Sequence, residues 1–203
     1  MKKIFALSAL LAAAGVANAQ IFNEIGDASQ LLPGQDTGIG ALSFITGSLS
    51  GNADVDLYAI TITDFANFSA TVGVTAGFDS QLFLFNAAGF GIVSNDDFAS
   101  GVTSAITAGT VTSNGLYYIA ISSYNIDPTS SGGNIFPNSP FSAQLLPTGA
   151  GGAFALSGWT GNGFADMSAY EIRFTGAERA IVPTPAAAAL LGLGGLAAFR
   201  RRR

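Results

Sequence analysis

In three separate stretches of this chain the apolar residues recur at every second position, and that period sets the fold class. Tyr58, Ile60 and Ile62 alternate with Ala59, Thr61 and Thr63. Phe68, Ala70, Val72 and Val74 alternate with Ser69, Thr71 and Thr75, and Tyr170, Ile172 and Phe174 with Glu171, Arg173 and Thr175. Successive side chains of a strand point to opposite faces, so each stretch reads as a half-buried strand. Gln81 to Phe85 and Leu116 to Ile121 are apolar on both faces, as central strands are. Asn86 to Gly89 and Asn114-Gly115 supply turns. With no amphipathic helix between residues 20 and 180, the expectation is an all-β, antiparallel β-sandwich of jelly-roll type. Asp127 to Gly163, rich in Gly, Ser, Pro and Asn, reads as a long surface excursion. A structureless loop of that length is unusual, so it is expected to carry one or two strands.

Both ends differ from this middle. Lys2 and Lys3, the apolar run Ile4 to Val16 and the small-x-small triplet Ala17-Asn18-Ala19 form the three parts of a secretory signal in order. Residues 1–19 are therefore expected to be a signal helix cut by signal peptidase before Gln20. At the other end Val182-Pro183-Thr184-Pro185 interrupts the chain, Ala186 to Phe199 carries no charge, and Arg200 to Arg203 closes it. As a helix that run would be roughly 21 Å long, short of a hydrocarbon core of about 30 Å. Ile181, Val182 and snorkelling arginines extend its reach. Four arginines beyond it favour a cytoplasmic C-terminus and a body on the far side of the membrane.

The Pro-Thr-Pro break, the short apolar segment with Gly192, Gly194 and Gly195, and the basic end resemble the PEP-CTERM class of sorting signals, with Thr184 where that family usually has an acidic residue. The resemblance implies recognition by an exosortase-type membrane enzyme, removal of the tail (residues 181–203) and delivery to the cell surface or extracellular matrix. A plain one-pass anchor is the other reading. Both place residues 20–180 outside the cell.

Charge and residue choice exclude whole classes of function. All thirteen acidic residues lie between Glu24 and Glu178, where the only basic residues are Arg173 and Arg179. Nucleic acid is excluded as a partner, because no basic patch exists to neutralise phosphates. Cysteine and histidine are both absent, which removes disulfides, thiol catalysis, thiolate zinc sites and every histidine-dependent triad. Any metal site must use oxygen ligands alone, which points to calcium before transition metals.

The middle of the chain resembles the bacterial pre-peptidase C-terminal domain family. Gly51-Asn52-Ala53-Asp54-Val55-Asp56-Leu57-Tyr58 is similar to its Asp-x-Asp-x-Tyr motif. Asp79 to Phe85 followed by Ser94-Asn95-Asp96-Asp97 is similar to its central strand and acidic turn, and Gly115 to Ile121 to its Gly-x-Tyr-Tyr strand. These segments occur in the family's order over residues 23–124, with Tyr170 to Ala177 as the last strand. The resemblance implies a β-sandwich accessory module of a secreted protein, of the kind that binds calcium, collagen or polysaccharide. Asn23-Glu24-Ile25-Gly26-Asp27 is similar to the acidic segment that folds onto the Asp-x-Asp motif in calcium-binding members. Carried over, Glu24, Asp27, Asp54 and Asp56 are the implied ligands, although Gly51, Asn52 and Ala53 stand where the family has further acids.

The residues themselves leave two readings. Asp54 and Asp56, two apart at the start of a strand, share a face and repel one another unless a cation intervenes; the same residue types also cap turns. Asp79, Asp96 and Asp97 form a second candidate set with the same two readings. Trp159, with Phe154 and Phe164 near it in sequence, is either a stacking platform for a sugar or protein partner or ordinary packing. Glycoside hydrolysis needs only two carboxylates, yet no acidic pair here sits in a catalytic context. The functional expectation is a non-catalytic exported surface or matrix protein serving adhesion or envelope structure, with calcium as a candidate ligand. The alternative is a polysaccharide- or protein-binding module.

Overall fold

The computed structural model of the protein describes residues 20–73, 78–99, 101–163 and 168–182. The expected signal helix and the apolar C-terminal segment lie outside the described residues. Among the described residues there is no helix, and every regular element is a strand. The strands are β1 (Ile21–Asn23), β2 (Gln35–Asp36), β3 (Phe44–Leu49), β4 (Val55–Ile62), β5 (Ser69–Val72), β6 (Ser80–Asn86) and β7 (Gly91–Asn95). There follow β8 (Ala105–Ile106), β9 (Gly115–Ser123), β10 (Ile126–Ser130), β11 (Gly133–Asn134), β12 (Gly158–Gly161), β13 (Ser168–Thr175) and β14 (Ala177–Arg179).

They form two facing sheets, as in a β-sandwich. One runs β1-β3-β13-β5-β8, the other β14-β4-β9-β6-β7 with β2 alongside β4. All pairings are antiparallel except β1 with β3 and β2 with β4, so both sheets are mixed. The pairs β6–β7, β5–β8, β4–β9 and β3–β13 nest, each enclosing the one before. Folding that long hairpin over brings β6 against β9 and β5 against β13.

The core follows from strand parity. Tyr58, Ile60 and Ile62 of β4, Leu82 and Leu84 of β6, and Ile119 and Ile121 of β9 point inward. They meet Ile45 and Leu49 of β3, Ala70 and Val72 of β5, and Tyr170 and Ile172 of β13. The opposite face of β13, with Glu171 and Arg173, faces solvent, as its sequence predicts.

The excursion holds the main departure from the sequence reading. It contains three short strands rather than one or two, and they pair as a separate sheet, β11-β10-β12. This small sheet does not ride on the surface as an isolated loop. Ile126, Ile135, Phe136 and Leu156 pack on Val55, Leu57, Ala59, Phe83, Phe85, Tyr118 and Ala120, which form the outer face of the second sheet. A third layer thus covers one face of the sandwich. For that reason β4, expected to be half-buried, is buried on both faces, and β6 and β9 are central strands in fact. The edge at β7 is covered as well: Ser94 and Leu145 exchange backbone hydrogen bonds of 2.9 and 2.8 Å. At the C-terminal side Val182 still packs against the second core, and its N–H donates to Asp36 Oδ1 at 2.9 Å.

Candidate functional site

The start of β4, the start of β6 and the end of β7 lie together at one end of the second sheet. Val55 pairs with Ser122, Ser80 with Ser123, and Asn95 with Leu82. The acidic residues singled out from the sequence gather there in two groups.

The first group joins the N-terminal segment to β4. The pairing of β1 with β3, continued by a Glu24 N–H bond to the Thr46 carbonyl at 2.8 Å, lays Glu24 beside β3. Glu24 then accepts N–H bonds from Ala28 (3.0 Å) through Oε1 and from Ser48 (2.9 Å) through Oε2. This holds the loop carrying Asp27 closed, and carboxylate oxygens of Glu24, Asp27 and Asp56 all fall within 4.8 Å of one another. Asp27 is exposed, Glu24 half-buried and Asp56 wholly buried, so the group runs from the surface into the gap between the sheets. Asp54 stands just before β4, where its Oδ2 accepts the N–H of Ser50. It adds negative charge near Asp56 but does not join the other three.

Asp56 points inward because it shares the parity of Tyr58 and Ile60. The Tyr170 hydroxyl, reaching across from the first sheet, donates to Asp56 Oδ2 at 2.5 Å. A hydroxyl has one proton to give, so the 2.5 Å contact between the two tyrosine oxygens must be Tyr58 donating to Tyr170. Gly47 lies opposite Tyr170 in the sheet register. A Cβ there would overlap the Tyr170 hydroxyl and stand 2.7 Å from Glu24 Oε2, so only glycine admits both groups. Asp56 Oδ1, by contrast, is buried with no hydrogen-bond partner within the protein. Burial pushes the Asp56 carboxyl up to about 8, opposed by the Tyr170 hydrogen bond and helped by the charges of Glu24 and Asp54 and by a side-chain hydrogen bond with Glu24.

The second group lies where two connections cross between the sheets. Asp79 precedes β6, and Asp96 and Asp97 follow β7; their oxygens also come within 4.8 Å of one another. The backbone here is fixed from several sides. Tyr124 N–H donates to the Asp79 carbonyl at 2.8 Å, and Asp97 N–H to the Phe141 carbonyl at 3.0 Å. Asn95 Oδ1 accepts from Ala105 N–H at 2.8 Å, while its Nδ2 donates to the carbonyls of Asp97 and Ala143. Asp96 is only 6% exposed, and Oδ1 of both Asp79 and Asp96 is buried without a partner. Burial raises the carboxyl of Asp96 to about 7, with Asp79, Asp97 and Asp127 adding to it. Asp79 is raised by burial and by Asp97.

Asp96 also lines a cleft between the second sheet and the excursion, shared with Gln81, Tyr124, Asp127, Asn138 and Phe141. Asp127 is raised by burial and held down by hydrogen bonds from Asn138 and Gln81.

Trp159 settles as packing. Its ring meets Phe83 and Phe85 edge-on, at centroid distances of 5.5 and 6.4 Å, and its Nε1 donates to the Gln30 carbonyl at 2.7 Å. It is partly buried against the second core, and its remaining surface lines a shallow pocket with Gln30, Leu31 and Ala53.

The tyrosine relay and Gly47 escaped the sequence reading. Asp56-x-Tyr58 already signals a shared face, but Tyr170 and Gly47 arrive only through the pairing of β3 with β13. Asp127 was read as the start of the excursion, and nothing local to it announces a place beside Asp96. No protein-family model matches the chain, and no curated protein matches it either.

Proposed function

We propose that the protein is a non-catalytic, exported surface or matrix module in which calcium fastens the N-terminal segment to the sandwich. The observation that carries this reading is Asp56, whose carboxylate meets those of Glu24 and Asp27 and whose buried Oδ1 has no hydrogen-bond partner. Burying a carboxylate without a partner costs several kcal/mol, about the penalty a cation or a proton must offset. The only cationic side chains between Gln20 and Val182 are Arg173 and Arg179. Arg173 pairs with Glu171 on the outer face of the first sheet, and Arg179 donates to the Ile21 carbonyl. With no basic side chain in the group, an external divalent cation with oxygen preference suits it best.

The nested strand pairs support reading the sandwich as a jelly roll. Three carboxylates leave several of calcium's six to eight positions to water, or to Asp54 after a side-chain rotation. The terminal signals support export, and the PEP-CTERM resemblance supports exosortase processing and display outside the cell. Adhesion or assembly of extracellular material is the role this combination fits. Polysaccharide binding is the second reading, favoured by the cleft between the excursion and the second sheet, where Tyr124 and Phe141 stand beside amide and carboxylate side chains.

Calorimetric titration of the purified protein with calcium tests the reading. Loss of one site's binding heat in Asp56→Asn, with the β-sheet circular dichroism kept, is the expected result. A heat unchanged by that substitution would remove Asp56 from the site and with it the proposed clasp.

A further inference from the structure

We propose that Asp79, Asp96 and Asp97 form a second divalent-cation site, of calcium type, that ties together the two connections crossing between the sheets at this end. It stands on residues other than those of the clasp at Glu24 and Asp56. Three features carry it. The carboxylate oxygens converge within 4.8 Å. Asp96, 94% buried by its 6% exposure, brings its carboxylate into the group with Oδ1 unpartnered, and Asp79 adds a second buried orphan oxygen. Among the described residues no positive side chain is available, because Arg173 and Arg179 are engaged at Glu171 and Ile21.

The surrounding backbone is already fixed without the cation. The Asn95 side chain bridges Ala105, Asp97 and Ala143, and the Asp97 N–H bonds the Phe141 carbonyl. That rigidity holds three like charges together, which mutual repulsion would otherwise spread apart. Turn capping, the ordinary use of such aspartates, does not account for the orphan oxygens, since a capping carboxylate oxygen accepts an N–H. The cation's outward positions would face the cleft lined by Asp96, Gln81 and Asp127, where water or a ligand hydroxyl completes the coordination. Bound there, it would link the segment before β6, the segment after β7 and, through Asp97 and Phe141, the excursion.

Calorimetry with calcium chloride on the purified protein, in parallel with Asp96→Asn, Asp97→Asn and Asp56→Asn, tests the assignment. Asparagine keeps the shape of a protonated aspartate, and Asp97 is less buried than Asp96, so Asp97→Asn serves if Asp96→Asn fails to fold. The expected result is a stoichiometry of two that falls to one in Asp96→Asn or Asp97→Asn, and to one in Asp56→Asn. A single site lost in Asp56→Asn and untouched by Asp96→Asn and Asp97→Asn would overturn the second site and leave the clasp standing. A single site lost only in the Asp96 or Asp97 variants would support this assignment and overturn the clasp. No calcium heat at all would overturn both.

Discussion

Tyr170 on one sheet donates its hydroxyl proton to Asp56 on the other, across 2.5 Å in the interior of the sandwich. This contact joins β13 to β4 at the end where the acidic groups gather. It also holds the Asp56 carboxylate in the group with Glu24 and Asp27, occupying Oδ2 and leaving Oδ1 without a partner. The pair is buried and, with Tyr58, fixes one alignment of the sheets there.

Tyr170→Phe tests the energetics of this contact. It leaves Asp56 Oδ2 and the Tyr58 hydroxyl without their partner while keeping the ring. The expected loss is about 1–3 kcal/mol of stability in a urea melt. Gly47→Ala, which forces a methyl group against the Tyr170 hydroxyl, is expected to cost about 1–3 kcal/mol by overpacking. In the double variant part of the second cost should return, since phenylalanine lacks the overlapping oxygen. Strict additivity would show that the Tyr170 oxygen is not what the added methyl meets, leaving the ring Cζ at 2.6 Å and Glu24 Oε2 at 2.7 Å as the overlap.

The pH dependence of stability follows from the acids. In the fold Asp56 titrates at about 8 and Asp96 at about 7, against an ordinary value of 3.8. The folded state therefore holds protons that the unfolded chain has released. With chelator present, stability is expected to be greatest below about pH 4 on account of these groups and to decline as the pH rises toward about 8. Melting temperature measured across that range should fall, and Asp56→Asn should flatten the decline. A melting temperature that climbs through the same window would contradict the burial of Asp56 as an orphan carboxylate.

Calcium should reverse that trend at neutral pH. Free calcium at a hundred times its dissociation constant stabilises a single site by about 2.7 kcal/mol. The expected readout is a melting temperature that rises with calcium, more steeply at pH 8 than at pH 5, where protons compete for the same oxygens. An equal shift at both pH values would indicate binding elsewhere.

The third layer makes a separate prediction. Phe136 is buried against Phe83 and Phe85, at centroid distances of 5.8 and 6.2 Å. Phe136→Ala is expected to cost about 3–5 kcal/mol and to open the excursion to proteases, with limited proteolysis cutting between residues 137 and 155 before the sandwich. Cleavage spread evenly along the chain would mean that the excursion does not unfold separately.

Export makes the last prediction. Surface-associated protein, digested and analysed by mass spectrometry, should lack residues 1–19 and the peptide Ala186 to Phe199. Recovery of that second peptide from surface material would favour a retained anchor over removal of the tail.

The alternation at Tyr58, Phe68 and Tyr170, and the turns at Asn86 and Asn114, settled by themselves that this chain builds paired strands. Period-two burial is a local property, written in each strand's own residues. The absence of cysteine and histidine likewise settled that any metal site here uses oxygen, and the family resemblance named Glu24, Asp27 and Asp56, together with Asp54, which does not join them. Which acids meet was a different matter. Asp56 lies beside Glu24 only because β1 runs parallel to β3, and receives Tyr170 only because β13 lies next to β3. Asp79 meets Asp96 because β6 and β7 form a hairpin whose open end holds both. The excursion looked like surface because its apolar residues are sparse, yet Ile126, Ile135, Phe136 and Leu156 suffice to cover a sheet face once β10 and β12 pair. Pairing between strands far apart in sequence depends on the whole set of faces being buried at once, and that condition exists only in the folded protein.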